Sequence, residues 1–220
     1  MQAAERIPPG LTPERLGFFT DAVFAIAMTL LVVDIPKPEG GPEFDTAEAG
    51  RAEAAGNLLD FLAGRLSSFG AYLLAFAILW LVWRQHHILL DRLTRTTPRL
   101  VTLHLPLLLL AGFLPYPTAV LGHHVGNPTA AGFYAVSTGA LLLARSAVQS
   151  QPLRDGLLPE GSNLVAYRRD ARASWAVGWY FLATVLLCWW APWTQIAWFA
   201  APLVHSLFSR RLPLTIYHDF

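Results

Sequence analysis

The sequence predicts an all-α polytopic membrane protein with six transmembrane helices, and three observations lead to that prediction. Hydrophobic residues make up 54% of the 220-residue chain and charged residues only 14%, whereas soluble domains carry about 25% charged residues. The mean hydropathy is +0.41, and a chain of this length has too little interior to hide that much apolar surface from water. Six apolar stretches are candidates to cross a hydrocarbon core of about 30 Å, although the last two are short.

The first half of the chain supplies three of these spans. Thr12 is expected to cap the first helix, with Pro13 in its first turn, and the span ends at Pro36. The second span has its apolar centre at residues 69–83. Pro106 and two later prolines interrupt the third, which is tolerated where neighbouring helices satisfy the freed backbone groups. The predicted bounds are about 16–35, 66–90 and 100–121.

The second half supplies the other three spans. The fourth is rich in glycine, alanine and serine, and the last two are short and are joined at Pro192 and Trp193. Residues 36–57 are expected to form a partly helical external loop, and residues 150–171 the longest cytoplasmic loop. Without an internal repeat, residues 1–220 are predicted to form one transmembrane domain. The predicted bounds are about 129–148, 175–191 and 194–208.

Basic residues are distributed unequally between the two sides of the predicted membrane. Thirteen of the sixteen lie in the two termini, near the C-terminal ends of the second and fourth spans, or in the loops that follow these spans. The loop from residue 34 to residue 60 instead holds seven acids, with Lys37 and Arg51. Because arginine-rich loops stay in the cytoplasm, we expect a multi-pass protein of the cell membrane with both termini cytoplasmic. The arginines of segment 168–172 are expected to anchor that side near anionic lipid.

An acidic residue lies inside the first predicted span. Asp21 follows the start of the span by five residues, and an aspartate at a helix centre costs about 2.5–3.5 kcal/mol on insertion scales. It therefore needs a partner. A contact between helices and a site for a transported ion both fit this requirement.

The first span also carries a stripe of apolar residues. At about 100° per residue, Ile26, Thr29, Leu30 and Val33 fall on one face of the helix, and Asp21 lies almost opposite. On spacing alone this stripe is typical of ordinary core packing, with a pore lining as the alternative.

Three motifs resemble those of the transmembrane protein 175 family of potassium channels. Residues 15–35 read RLGFFTDAVFAIAMTLLVVDI, which is similar to the family's first-span signature Arg-x-x-x-Phe-Ser-Asp followed by Ala-Ile-x-Thr-Leu-Leu. Trp83 and His86 match the Trp-x-x-His pattern of its second span, and residues 113–119 (FLPYPTA) resemble its proline-containing third span. Thr20 replaces the serine of the signature but keeps a hydroxyl group.

The resemblance implies a homotetrameric, potassium-permeable cation channel whose first helices line a central pore. No Thr-Val-Gly-Tyr-Gly filter occurs in the chain, so apolar rings that gate by dewetting are the physical alternative. The implied partners are further copies of the chain, the lipid bilayer and permeant potassium ions, with no cofactor and no nucleic acid. The implied constriction consists of Ile26, Leu30 and Val33, with a hydroxyl ring at Thr29. The implied motif network consists of Arg15, Phe19, Thr20, Asp21, Trp83 and His86.

A proton-coupled transporter and a membrane enzyme are the two alternative classes of function. A proton-coupled transporter would use Asp21 and His86 as a relay, and a membrane enzyme would need a histidine-bound metal. Adjacent histidines on a helix point about 100° apart, so His86 and His87 form a poor chelating pair. His123 and His124 lie in an external turn, where metal binding is the less favoured reading. No Ser-His-Asp order, catalytic carboxylate pair or phosphate-binding glycine loop is present, so the sequence predicts neither an enzyme nor a resident metal.

Overall fold

The computed structural model describes residues 11–190 and 194–209, and every regular element in these residues is a helix. The predicted all-α class is therefore confirmed for this part of the chain. Two single 3-10 turns accompany the α-helices, at Pro42–Phe44 and Trp198–Ala200. The α-helices are α1 (Pro13–Val33), α2 (Arg51–Ala63), α3 (Leu66–Asp91), α4 (Pro98–Phe113), α5 (Pro115–His123), α6 (Pro128–Asp155), α7 (Leu164–Leu187), α8 (Thr194–Ala197) and α9 (Ala201–Ser209).

The start of α1 follows from its capping residues. Thr12 has an extended backbone, and its hydroxyl oxygen accepts a hydrogen bond from the backbone N–H of Arg15. Pro13 occupies the first helical position, where its missing N–H costs no intrahelical bond. Both features were predicted, and both are confirmed.

Within the described residues, four helices are long and apolar enough to cross a membrane: α1, α3, the α4–α5 pair and α6. The pair counts as one helix of 26 residues because Leu114, the single residue between them, is itself in a right-handed helical conformation. The fifth and sixth predicted spans correspond to α7 and to the segment from α8 to α9. Helix α9 alone has nine residues and reaches only about 14 Å at 1.5 Å per residue, so the six-span arrangement stays a prediction.

One predicted loop is shorter in the structure, and another is partly helical as expected. The expected cytoplasmic loop at residues 150–171 is wrong in extent: α6 continues to Asp155 and α7 begins at Leu164. The first of these helices, α6, ends at Gly156, whose left-handed backbone, with a φ of 62°, is readily adopted by glycine. The predicted 36–57 loop contains the 3-10 turn at Pro42–Phe44 and the start of α2, which extends to Ala63.

Helices α6 and α7 pack closely together through two glycines. A Cβ atom added at Gly178 would lie 2.6 Å from the Cδ2 atom of Leu143, and one added at Gly139 would lie 2.8 Å from Cδ2 of Leu182. The C-terminal segment then docks on this pair through Trp198, whose indole N–H donates to the Thr184 hydroxyl at 3.0 Å. The second half of the bundle is thus held by small residues and one buried tryptophan.

Candidate pore helix and its partners

Helix α1 presents two different faces. Its buried face packs inside the bundle, mainly against α3 and α4. Its other face is open in the single chain: Ile26 is 59% exposed, Leu30 44% and Val33 62%. This division agrees with the helical phase, which placed those three residues on one stripe and Asp21 nearly opposite. The buried residues of α1 are Pro13, Leu16, Thr20, Phe24, Ala27 and Leu31.

Thr29 lies on the open face together with the apolar residues. Its hydroxyl donates a hydrogen bond to the backbone carbonyl of Ile26 at 2.8 Å. Donation uses the only hydroxyl hydrogen but leaves the oxygen lone pairs available as acceptors. Thr29 can therefore present an oxygen to a cation without breaking its bond to its own helix.

Asp21 lies at the border between the two faces, with a side chain that is 34% exposed. The indole N–H of Trp83 donates to its Oδ1 atom at 2.8 Å, so the predicted contact between these two residues is present. The Nδ1 atom of His87 lies 3.5 Å from the same oxygen. Trp83 and His87 are four residues apart on α3 and therefore share one face of that helix. We refer to Asp21, Trp83 and His87 as the Asp21 cluster.

His86, which was expected to join this network, lies elsewhere. Its ring is almost completely buried and packs edge-on against the ring of His104 on α4, with 4.9 Å between centroids. Neither ring nitrogen of His86 has a hydrogen-bond partner, whereas Nδ1 of His104 lies 2.7 Å from the carbonyl oxygen of Leu100. The histidine next to Asp21 is His87, because one residue along a helix turns the side chain by about 100°. The only sequence signal for His104 was a lone histidine in an apolar run.

The remaining residues of the expected network do not converge on Asp21 within one chain. The hydroxyl of Thr20 is buried and donates to the carbonyl of Leu16 at 2.8 Å, so the extra methyl group is accommodated in the core. Arg15 and Phe19 are exposed, and the guanidinium of Arg15 forms no ion pair with Asp21. Six residues of helix separate Arg15 from Asp21 by about 240°, which explains why they point in different directions.

Potential metal ligands in the described part of the chain are scattered rather than clustered. No cluster of three or more histidine, cysteine or acidic side chains occurs within residues 11–190 and 194–209. His123 and His124 lie exposed at the end of α5, with no third such ligand beside them. The arrangement around α1 instead combines an open apolar face with an acid that accepts a hydrogen bond from a neighbouring helix.

Comparison with known proteins relates the part of the chain around α1 to one family. Residues 15–115 match the family described as the endosomal/lysosomal potassium channel TMEM175, and this segment contains α1 and the whole Asp21 cluster. A potassium channel of Streptomyces collinus is 29% identical over 168 residues, which are 74% of this chain and 76% of that protein. A potassium channel of Chamaesiphon minutus is 33% identical over 128 residues, 58% of each chain.

More distant relatives extend the comparison. The endosomal/lysosomal proton channel TMEM175 of mouse is 32% identical over 105 residues, but these are 48% of this chain and only 20% of the mouse protein. The crystal structure of a lysosomal potassium-selective channel TMEM175 homolog from Chamaesiphon minutus superposes with a TM-score of 0.61 at 24% identity, and it covers 90% of this chain and 98% of that one. It shows a shared fold. With the match over α1 and its partners, these similarities relate the chain to the TMEM175 family of potassium channels.

Proposed function

We propose that the protein is a potassium-permeable channel in which four identical chains surround a pore lined by α1. The observation that carries this proposal is the open apolar face of α1, because a membrane-length helix packs its own bundle on one side only. The match to this family and the two bacterial relatives named as potassium channels support potassium as the permeant ion. In this arrangement the protein is a multi-pass protein of the cell membrane, and both termini face the cytoplasm.

The constriction is proposed to consist of Ile26, Leu30 and Val33. These residues are separated by about one helical turn each, so four copies of α1 would stack three apolar rings over about 10 Å. A passage lined by apolar side chains excludes water when it is narrow and so acts as a gate. Thr29 would add a ring of hydroxyl oxygens between the first and second apolar rings.

The Asp21 cluster is proposed to set the rotation of α1 rather than to conduct ions. Asp21 lies on the side of α1 that faces α3, and its Oδ1 atom is already bound by the Trp83 indole. A bond between α1 and α3 fixes which residues α1 presents outward. The alternative of a proton relay from Asp21 to His86 has no support from the contacts, because the partners of Asp21 are Trp83 and His87.

Proton permeation is a second candidate activity of the same pore. The mouse and chicken relatives are named as proton channels. These matches cover only a fifth of either relative. Recording in planar bilayers under a pH gradient, with potassium replaced by a large organic cation, separates the two activities. A current that reverses at the proton equilibrium potential would establish proton permeation.

The test of the proposed constriction is Leu30→Asn. An amide side chain lowers the cost of wetting an apolar ring, so we expect the single-channel conductance to rise and the potassium-over-sodium preference to fall. The matched control is Leu105→Asn, which places the same group at a 68% exposed leucine of α4. Planar-bilayer recording under a potassium/sodium gradient measures both quantities. Equal behaviour of the two variants would show that the face of α1 does not line the pore.

Assembly is tested separately from conduction. Size-exclusion chromatography with light scattering gives the mass of the purified protein without its detergent. Four chains of 24.3 kDa are expected. A monomer or dimer that still conducts potassium would exclude a central pore made of four α1 helices.

A further inference from the structure

A large cavity lies away from α1, because none of its lining residues belongs to that helix. It has a volume of about 590 Å³ and is bordered by α3, α6, α7 and α9, together with the segment between α6 and α7. Its size falls in the range of small-molecule sites, about 300–1,000 Å³. Arg92, Arg145 and Arg169 line it, and we call it the arginine cavity. Arg92 and Arg169 lie near helix ends and Arg145 lies inside α6, and the charge distribution predicts that all three face the cytoplasm.

The charge of the lining is unbalanced. Among the described residues that line it, Arg92 and Arg169 add positive charge beside the engaged Arg145, and Asp170 supplies the one carboxylate. This carboxylate is already engaged: Oδ2 accepts a hydrogen bond from the Gln149 amide at 2.6 Å, and Oδ1 lies 3.2 Å from Nε2 of His205. Burial raises the pKa of Asp170, but His205 and Arg145 outweigh burial and hold the pKa below its usual range. An ionised Asp170 therefore offsets only part of the positive charge.

The three arginines differ in burial. Arg145 is only 7% exposed, and its Nη1 atom donates to the Ser174 hydroxyl at 2.7 Å. Arg169 is half-buried, and its buried Nη1 atom has no hydrogen-bond partner. A buried donor atom without an acceptor is costly, so an approaching acceptor would be favoured there. Arg92 lies exposed at the end of α3 and adds a charge at the rim.

The lining also contains a hydrogen-bond acceptor without a donor. The side-chain oxygen of Gln149 is buried and accepts no hydrogen bond, whereas its amide nitrogen donates to Asp170. This orientation leaves an acceptor available to a hydroxyl or amine donor. The cavity thus offers guanidinium donors for an anion and a separate acceptor for a neutral donor group.

We propose that the arginine cavity binds a phosphate ester that also carries hydroxyl groups. Guanidinium groups pair with phosphate oxygens through charge-assisted and often bidentate hydrogen bonds, and the oxygen of Gln149 accepts from a hydroxyl group of the ligand. Both the headgroup of an anionic glycerophospholipid and a soluble glycerol phosphate have this chemistry. The proposal does not depend on which ion the pore conducts.

The experiment is native mass spectrometry of the purified full chain in an uncharged detergent. Three probes are titrated separately: phosphatidylglycerol, phosphatidylcholine and sn-glycerol 1-phosphate. We expect phosphatidylglycerol or glycerol phosphate to bind, and Arg92→Gln with Arg169→Gln to weaken that binding at least about tenfold. The matched control is Arg172→Gln, which removes an exposed arginine of the same helix α7 that does not line the cavity.

The outcomes are distinct. Retention of phosphatidylglycerol alone identifies a lipid site, and binding of glycerol phosphate identifies a site for a soluble ligand. The proposal is overturned if the wild-type chain binds neither phosphatidylglycerol nor glycerol phosphate. It is also overturned if phosphatidylcholine binds as tightly as phosphatidylglycerol, or if Arg172→Gln weakens binding as much as the cavity variants. Should the double variant not fold, Arg92→Gln alone decides, because this exposed side chain can be replaced without opening the core.

Discussion

The two faces of α1 differ in their surroundings but hardly in their composition. One face is buried in the bundle, with Leu16, Phe24 and Leu31 at most 3% exposed. The other carries equally apolar residues, such as Ile26 and Val33, which no described element of the same chain covers. Hydrophobicity therefore does not tell which face meets protein. The Asp21 cluster marks the border between the faces, where a hydrogen bond joins α1 to α3.

The largest expected difference in stability is between variants of two phenylalanines, one on each face of α1. Phe24 is fully buried, so Phe24→Ala removes a packed ring and should lower the free energy of unfolding by about 3–5 kcal/mol. Phe19 is 60% exposed, and Phe19→Ala should change it by no more than about 0.5 kcal/mol. Denaturant titration in mixed micelles measures both. A large loss of stability in Phe19→Ala would mean that another subunit packs against this side chain.

A smaller loss of stability is expected when the hydrogen bond between Trp83 and Asp21 is removed. Trp83→Phe removes the indole N–H and leaves the Asp21 carboxylate with His87 alone. Hydrogen bonds to charged groups contribute about 1.5–3 kcal/mol, and we expect a loss in the lower part of this range because Asp21 is partly exposed. The control is Trp80→Phe on the same helix, which removes the same ring volume at an exposed position. Equal thermal destabilisation of both variants would reduce the role of Trp83 to packing.

Asp21→Asn should be milder than Trp83→Phe. The amide oxygen can still accept from the Trp83 indole, so only the charge is lost, and we expect about 1 kcal/mol. Size-exclusion chromatography should show fewer assembled oligomers at elevated temperature, and the ion selectivity of those that assemble should be unchanged. A normal oligomer with altered permeation would instead assign Asp21 to the ion or proton path.

The smallest effect on stability is expected at Thr29, where the change should be functional. Thr29→Val keeps the shape of the side chain but removes the oxygen, so the preference for potassium over sodium should fall while expression and melting temperature stay the same. Thr102→Val on α4 is the control, because Thr102 is also exposed and also bonds its own helix backbone. If the permeability ratio is unchanged in Thr29→Val, the apolar rings alone discriminate between the ions.

The position of Asp21 shows how far sequence reasoning extended into the site. Its phase on α1, its need for a donor and the choice of Trp83 all came from local periodicity and from motif similarity, and the structure contains the contact. The histidine was assigned one position too early. His86 and His87 are adjacent in sequence, and only the rotation of α3 decides that His87 faces α1 while His86 faces His104.

The arginines near the predicted cytoplasmic side show the opposite case. Charge alone predicts on which side of the membrane they lie, because insertion responds to the summed charge of short loops. It does not predict their separate environments: Arg169 lines the arginine cavity, whereas Arg172, three residues later, is exposed. Arg145 and Arg92 come from helices that lie far from α7 in sequence, so no local pattern relates them to Arg169.

The sequence by itself determined the membrane class, the all-helical composition and the two-sided character of α1, because each follows from local composition or from the angular repeat of a single helix. Only the tertiary structure decided which histidine meets Asp21, that His86 pairs with His104, and that three distant arginines border one cavity. The physical reason is that helical periodicity sets the angles between side chains on one helix. It does not set the rotation of that helix against its neighbours, which depends on packing across the whole bundle.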